Sequence, residues 1–387
     1  MYSRYGRHYN RSVLKRRGTS VENARISGWQ FFLLSLNFIV GTAFFVRPGS
    51  IIAVSKQDGW IVPLIAGIFA VLIACLWLTL ASRNPGLSIV QICTKVAGKY
   101  FGGFIALLYI WFFIQLAGWV TRNLGDFMKT ILMPRTPISV FHLMFLIVVC
   151  YAVIKGVETI ARTIEFLAPL VVLIVVVIYL FTLSEWKWER FEPMFQVSTW
   201  QLIKDSLPVI GFPYMEAVTL MMLVPYVKSR VKTGLLLGIT VATLLISGIV
   251  FVTIGVLGVT RTSHFAYPLY IIVQELQIAE FIEHVESTIV IVWLIWIFIK
   301  LCISYHCAVT GICQLFRVSD RTWIAIPLVL FISGIAILTH ENIVDNIAVD
   351  TRYIFQYTSL YGIVLPVLLL FLTWIRRFRK GESGGSA

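Results

Sequence analysis

Two ionisable side chains lie inside apolar stretches of the sequence, where charged groups are rare. Glu216 is near the middle of residues 205–226, DSLPVIGFPYMEAVTLMMLVPY, and Lys300 is near the middle of residues 287–314. Each stretch is long enough to cross a bilayer, which takes about 20 helical residues. An ionisable group at mid-membrane depth is costly when it is charged and alone. Glu216 and Lys300 are therefore candidate functional residues.

Glu216 and Lys300 are expected to form an ion pair with each other. An ionised glutamate has no hydrogen-bond donor and lysine has no acceptor, so a direct pair satisfies both groups. Otherwise each group shifts its pKa and becomes neutral. In such a pair the Lys300 ammonium would take the place of a bound cation such as sodium and would fix the helix that carries Glu216. In the competing interpretation Lys300 extends to the membrane surface or faces a neighbouring subunit.

The stretch that contains Glu216 also carries Pro208, Gly211 and Pro213. Proline removes a backbone donor and clashes with the preceding turn, so the helix is expected to break around the GFP tripeptide. Backbone groups freed in this way are tolerated in a membrane only where buried protein or a wet cavity satisfies them. The helix break at the GFP tripeptide and the nearby Glu216 carboxylate together predict a binding site. The alternative is a kinked helix in which a neutral, hydrogen-bonded Glu216 serves packing.

The composition places these residues in an integral membrane protein. Of the 387 residues 58% are hydrophobic and 13% charged, and the mean hydropathy is +0.86. The alternating strands of an outer-membrane barrel are absent. The six cysteines include no CxxC pair, so we expect neither a disulfide framework nor a metal site. Without a catalytic triad or a phosphate-binding loop, we expect a protein that is not an enzyme and uses no cofactor.

The apolar runs predict an all-α protein with ten transmembrane helices. The predicted spans are approximately residues 26–52, 60–82, 102–131, 138–155, 160–183, 205–226, 234–258, 287–314, 323–339 and 354–375. Residues 26–375 thus form one transporter-like domain between two basic tails, residues 1–25 and residues 376–387. With both tails in the cytoplasm, most lysines and arginines fall on the inner side, as the positive-inside rule requires. The lipid bilayer accounts for the net charge of +13, so no nucleic-acid partner is expected.

Ten spans divide into two halves of five, and an odd-numbered repeat must be inverted across the membrane. The sixth span is interrupted around Gly211, and a second break is expected at Gly41-Thr42 in the first span. Small residues also serve helix packing. Breaks at corresponding positions of inverted repeats nevertheless indicate a midplane binding site. The predicted ligand-binding residues, all near mid-depth, are Gly41, Thr42, Gln115, Gly118, Gly211, Glu216 and Lys300.

A series of motifs resembles the B subunit of spore germinant receptors, the spore permease branch of the amino acid–polyamine–organocation superfamily. In chain order the motifs are ISGWQ, GTAFFVRP, KQDGWIVPL, RTPISV, FPYMEAVTLMMLVPY and FIEHVESTIVIVWLIWIF. The resemblance covers nearly the whole chain after the basic tail. Tyr214, Tyr226 and Lys300 depart from the usual family pattern.

The resemblance implies a multi-pass subunit of the inner spore membrane that senses a nutrient germinant. Such a germinant is an amino acid, a sugar or a nucleoside, and the expected protein partners are A-type and C-type receptor subunits. The residues themselves indicate only a midplane pocket for a small molecule and do not separate sensing from transport. An amino-acid permease that works by alternating access therefore stays open as the alternative, as does a purely structural partner of other membrane subunits.

Overall fold

The computed structural model describes residues 24–275, 285–339 and 343–382. Nearly all of the predicted N-terminal tail, residues 1–25, lies outside these residues. The described part of the chain is helical, and its one bridge of strand type joins Ile26 to Val227. The fold is therefore all-α, as the apolar runs predict.

The helices follow the predicted spans closely. The main α-helices are α1 Gly28–Ser55, α2 Ile61–Arg83, α3 Ile89–Ala97, α4 Lys99–Phe127, α5 Ile138–Lys155, α6 Val157–Thr182, α7 Thr199–Val209, α8 Val231–Leu257, α9 Val259–Thr262, α10 Pro268–Glu275, α11 Val285–Phe316, α12 Thr322–Leu338, α13 Ile343–Ser359 and α14 Leu365–Glu382. A π-turn at Leu360–Val364 joins α13 to α14, so this last helical stretch continues into the predicted C-terminal tail.

Eight helical stretches of the described chain are long and apolar enough to cross a membrane, which makes this a multi-pass membrane protein. Helix α12 is apolar but spans only 17 residues, and the predicted sixth span is not one continuous helix. The count of ten spans in two inverted halves stays a prediction.

The first helix begins where its sequence provides a cap. Ser27 and Gln30 form a capping box, in which the Gln30 backbone nitrogen donates to Ser27 Oγ at 3.1 Å and the Ser27 backbone nitrogen donates to Gln30 Oε1 at 2.9 Å. Just before this cap, the backbone of Ile26 pairs with Tyr226 and Lys228. The start of α1 is therefore fixed to the end of the interrupted sixth segment.

The predicted break in the first span is wrong, because α1 is one continuous helix through Gly41-Thr42. Gly41 serves close packing instead. A Cβ atom at this position would lie 2.9 Å from Cδ of Lys300, so only glycine lets α11 approach so near. A small residue in a membrane helix permits either a break or a close helix contact. Gly41 has the second role.

The predicted break in the sixth span is confirmed. Helix α7 ends at Val209, and a π-turn over Ile210–Tyr214 contains Phe212 with extended dihedrals, φ −126° and ψ 119°. Two 3₁₀ segments, Met215–Met222 and Val224–Tyr226, complete the crossing. All five residues of the π-turn are buried, so the freed backbone groups face protein and not lipid.

Candidate functional site

The predicted ion pair is present at the centre of the molecule. Lys300 Nζ lies 2.7 Å from Glu216 Oε2, and the two side chains are 0% and 3% exposed. Such a short, charge-assisted contact lets each group offset the desolvation of the other. The prediction that the two midspan charges meet is confirmed, and the interpretation in which Lys300 reaches the membrane surface is not.

The Lys300 ammonium also contacts the first helix. Its Nζ donates to Thr42 Oγ1 at 3.2 Å and lies 5.3 Å and 4.7 Å from the ring centroids of Phe38 and Phe212, within cation–π range. One ammonium therefore joins α1, the interrupted sixth segment and α11. This is the bridging role that a bound metal cation would perform.

A second buried cation, Arg47, satisfies the break in the sixth span. Its Nε donates to the carbonyl oxygen of Phe212 at 2.9 Å and its Nη2 to that of Pro208 at 3.0 Å. The guanidinium carbon also lies 4.6 Å from the Phe212 ring centroid. Sequence reasoning missed this residue, although an arginine inside the run GTAFFVRPG is itself a signal of an intramembrane charge with a partner.

Glu216 and Lys300 line a cavity of about 260 Å³. The cavity is lined by Thr42, Val46, Gln115, Leu116, Trp119, Val120, Asn123, Phe212, Glu216, Lys300, Thr339, Val349, Tyr353, Ile354 and Tyr357. Thus four of the seven predicted binding residues come together around one space: Thr42, Gln115, Glu216 and Lys300.

The three predicted glycines do not line this cavity. As described above, Gly41 packs against the Lys300 side chain. A Cβ atom at Gly118 would lie 2.7 Å from Ile335 Cγ2, and one at Gly211 would lie 2.9 Å from the backbone nitrogen and Cα of Phe355. Each glycine allows a close helix approach that positions a wall of the cavity.

Aromatic side chains of α4 and α13 form part of the cavity wall, and they were not among the predicted binding residues. Trp119 packs edge-to-face on Tyr357 with ring centroids 5.3 Å apart. The Tyr357 hydroxyl donates to Gln115 Oε1, which fixes the amide that faces the cavity. Gln115 and Trp119, like Tyr353 and Tyr357, are spaced four residues apart, so each couple shares one helix face. That spacing is the signal from which this wall could have been found.

The site combines a neutralised charge pair, two amides and an aromatic wall. Gln115 and Asn123 supply amide groups, while Trp119, Tyr353 and Tyr357 supply flat apolar surface with polar edges. Binding pockets for small molecules have this form, with mostly apolar walls and a few placed polar groups. Among the described residues, no group of three or more His, Cys, Asp or Glu side chains is arranged to hold a metal ion.

The chain is similar in sequence to two spore germination proteins of Bacillus subtilis. The chain is 23% identical over 364 residues to spore germination protein B2 of Bacillus subtilis (strain 168), covering 91% of this chain and 96% of the relative. It is 24% identical over 374 residues to spore germination protein KB of the same organism, covering 94% and 99%.

Among solved structures, the chain is similar to Mhp1, a nucleobase-cation-symport-1 family transporter in a closed conformation with bromovinylhydantoin bound. The TM-score is 0.62 at 13% identity, covering 92% of this chain and 79% of Mhp1, a likeness that establishes the fold alone. A family model described as spore germination protein matches residues 25–344. Because this match extends over most of the sequence, the chain belongs to the spore germination protein family, the spore permeases.

Proposed function

We propose that this chain is the membrane subunit of a nutrient germinant receptor and that it binds a small germinant in the central cavity. The observation that carries the proposal is the cavity of about 260 Å³ beside the broken sixth helix, which the paired Glu216 and Lys300 line. The subunit would lie in the inner spore membrane of an endospore former, with cytoplasmic termini and A-type and C-type subunits as partners. Membership of the spore germination family supports this setting.

The chemistry of the walls limits the ligand to a neutral or zwitterionic molecule. The charges of Glu216 and Lys300 cancel, so a ligand with net charge would enter a low-dielectric space without a counterion. The amides of Gln115 and Asn123 donate and accept hydrogen bonds, and the Trp119 ring offers a stacking surface. Amino acids, sugars and nucleosides all meet these requirements.

The experiment that tests the site compares two tryptophan variants in spores. Trp119 lines the cavity, whereas Trp29 is 58% exposed on the outer surface of α1. Spores carrying Trp119→Leu should need a higher concentration of the effective nutrient, found by testing amino acids, sugars and nucleosides. Spores carrying Trp29→Leu should germinate like the parent. Equal nutrient responses in both variants would remove the cavity as the germinant site.

An alternative function is an amino-acid permease, and its supporting observation is the likeness to a transporter fold. The two functions differ in whether substrate crosses the membrane. Purified protein in vesicles, given each radiolabelled nutrient, should bind without accumulating it if the chain is a receptor subunit. Accumulation above that of a Trp119→Leu control would support the permease. Co-purification from spores should recover A-type and C-type subunits if the receptor assignment is right.

A further inference from the structure

A second cavity, of about 160 Å³, lies between α1, α6, α8 and α11. Leu33, Asn37 and Val40 line it from α1, and Val171 and Trp296 line it from α6 and α11. The α1 residues are spaced three and four apart and so share one helix face. Thr42, five residues beyond Asn37, points to Lys300 instead. The two cavities therefore use different faces of the same helix.

Asn37 is the unusual residue of this second cavity. It is 3% exposed, and neither its Oδ1 nor its Nδ2 has a hydrogen-bond partner among the described residues. Nearby Ser35, by contrast, satisfies its hydroxyl by donating to the Phe31 carbonyl at 2.7 Å. Burial of an amide without partners is unfavourable, and buried polar groups in native proteins are nearly always paired. The amide therefore lacks a partner among the described residues, and Asn37 borders a cavity that a molecule from outside the chain can fill.

The walls favour an organic molecule over water as that partner. Apart from Asn37 the lining residues are leucine, valine, isoleucine, alanine and tryptophan. A buried water typically makes about three hydrogen bonds, and the side chains of these walls are almost entirely apolar. A ligand with an apolar body would use the same walls for contact and the Asn37 amide for its polar end.

The entrance of the second cavity faces the apolar surface of the protein. Val172 and Val176 line the cavity and are 61% and 50% exposed, whereas Val171 is 4% exposed at its inner wall. In a membrane, the exposed apolar face of a spanning helix such as α6 is turned to acyl chains. Molecules reach this cavity from the lipid and not from the aqueous phase.

We propose that the second cavity binds a small membrane-partitioned amphiphile whose head group both donates and accepts a hydrogen bond, as a primary amide does. When the amphiphile binds, the Asn37 side chain turns its amide into the cavity, so that Nδ2 donates to the oxygen of the head group and Oδ1 accepts from its N–H. Leu33, Val40 and Val171 cover the apolar body. Trp296 precedes Lys300 by one helical turn on α11, so this second site and the central site share two helices.

The test uses the full chain in lipid nanodiscs and two photoreactive probes. The first probe is a short-chain alkyl primary amide with a diazirine, and the second is the matching alkane without the amide. The amide probe should label residues within 33–40 and 164–176 saturably and raise the melting temperature of the wild type. In Asn37→Leu its affinity should fall about tenfold or more, with loss of the thermal shift. The alkane probe should label both proteins equally.

The Asn37→Leu variant should melt at the wild-type temperature or above it, because the substitution removes an unsatisfied buried amide. Should Asn37→Leu fail to fold, Ala168→Phe fills the same cavity from α6 and keeps Asn37. Saturable labelling by the amide probe should then be lost. Equal affinity of the amide probe for the wild type and Asn37→Leu, or labelling that never saturates, would overturn the proposal.

Discussion

At the scale of single residues, the centre of the protein is held by two buried cations that use opposite halves of the chain. Lys300 brings a charge from α11 to Glu216 and Thr42, and Arg47 brings a charge from α1 to two carbonyl oxygens of the broken helix. Both cations also face the Phe212 ring. The interruption of the sixth span is therefore stabilised from both sides by charged side chains.

The Glu216–Lys300 pair predicts a strong non-additivity between two substitutions. Glu216→Gln leaves Lys300 buried without its counterion, which should destabilise the protein by about 3–5 kcal/mol. The double variant with Lys300→Met removes both charges and should recover much of that loss. The free energy of unfolding of both single variants and of the double variant is measured by unfolding in mixed micelles that contain a denaturing detergent.

The control for this cycle is the exposed pair of Arg261 and Glu275, whose side chains are 53% and 44% exposed. Substituting either residue there should change stability by about 0–1 kcal/mol, because water screens the interaction. Strictly additive losses for Glu216→Gln and Lys300→Met would show that the two central residues do not stabilise each other.

Arg47 gives a second prediction at this scale. Arg47→Met removes two hydrogen bonds to buried carbonyls, so it should destabilise the protein by about 2–4 kcal/mol. Arg47→Lys keeps the charge but lacks the planar fork that reaches Phe212 and Pro208 together, and it should recover only part of the loss. The same micelle unfolding assay reads the effect. Arg135→Met, at an exposed turn, is the control and should be near neutral, and an equal effect at both arginines would contradict the role of Arg47.

At the scale of elements, the sequence predicts the features that depend on local chemistry. Two prolines and a glycine within six residues break the sixth span whatever helices surround it. Two midspan charges of opposite sign are costly when buried alone, so they are expected to pair with each other. Gly41-Thr42 is a weaker signal, because a small residue permits a break and a close helix contact equally well. The sequence alone did not decide between these two roles. The structure does, because Lys300 of α11 packs against Gly41.

The parts of the site that the sequence does not predict depend on the rotation of whole helices. Trp119 and Tyr357 meet because α4 and α13 turn particular faces to one another. A spacing of four residues shows which side chains share a helix face, but it does not show which helix that face meets. Arg47 illustrates the same limit, since its partners lie more than 160 residues further along the chain.

The packing of the broken segment against α13 predicts a contrast between two glycines. A Cβ atom at Gly211 would meet the backbone of Phe355 at 2.9 Å, and backbone cannot move aside as a flexible side chain does. Gly211→Ala should therefore destabilise the protein by about 1–3 kcal/mol. Gly103→Ala, within helix α4 and with open space around its Cβ position, should be neutral or stabilising by up to about 1 kcal/mol. Similar losses at both positions in micelle unfolding would show that Gly211 is not a packing site.

At the scale of the whole molecule, the two ends of the bundle differ in charge, and helix α8 connects them. Lys228, Arg230 and Lys232 surround its N-terminal end. Near its C-terminal end, where the Lys187 backbone nitrogen donates to the Gly255 carbonyl at 3.1 Å, lies a loop in which three glutamates, Glu185, Glu189 and Glu192, outnumber two cations, Lys187 and Arg190. Basic loops remain on the cytoplasmic side of a membrane, so the N-terminal end of α8 should be cytoplasmic.

This orientation predicts opposite labelling of two serine-to-cysteine variants. Ser229 and Ser184 are both exposed and lie beside the two ends of α8, which at 27 residues is about 40 Å long. A Cys75→Ser background leaves five native cysteines, all buried. In intact cells a membrane-impermeant maleimide should label Ser184→Cys and not Ser229→Cys, and both should react once the membrane is permeabilised. Labelling of Ser229→Cys in intact cells would place the basic end outside and invert the proposed orientation. The proposed cytoplasmic side of the segment before α1 rests on that orientation, since the Lys228 backbone nitrogen donates to the Ile26 carbonyl.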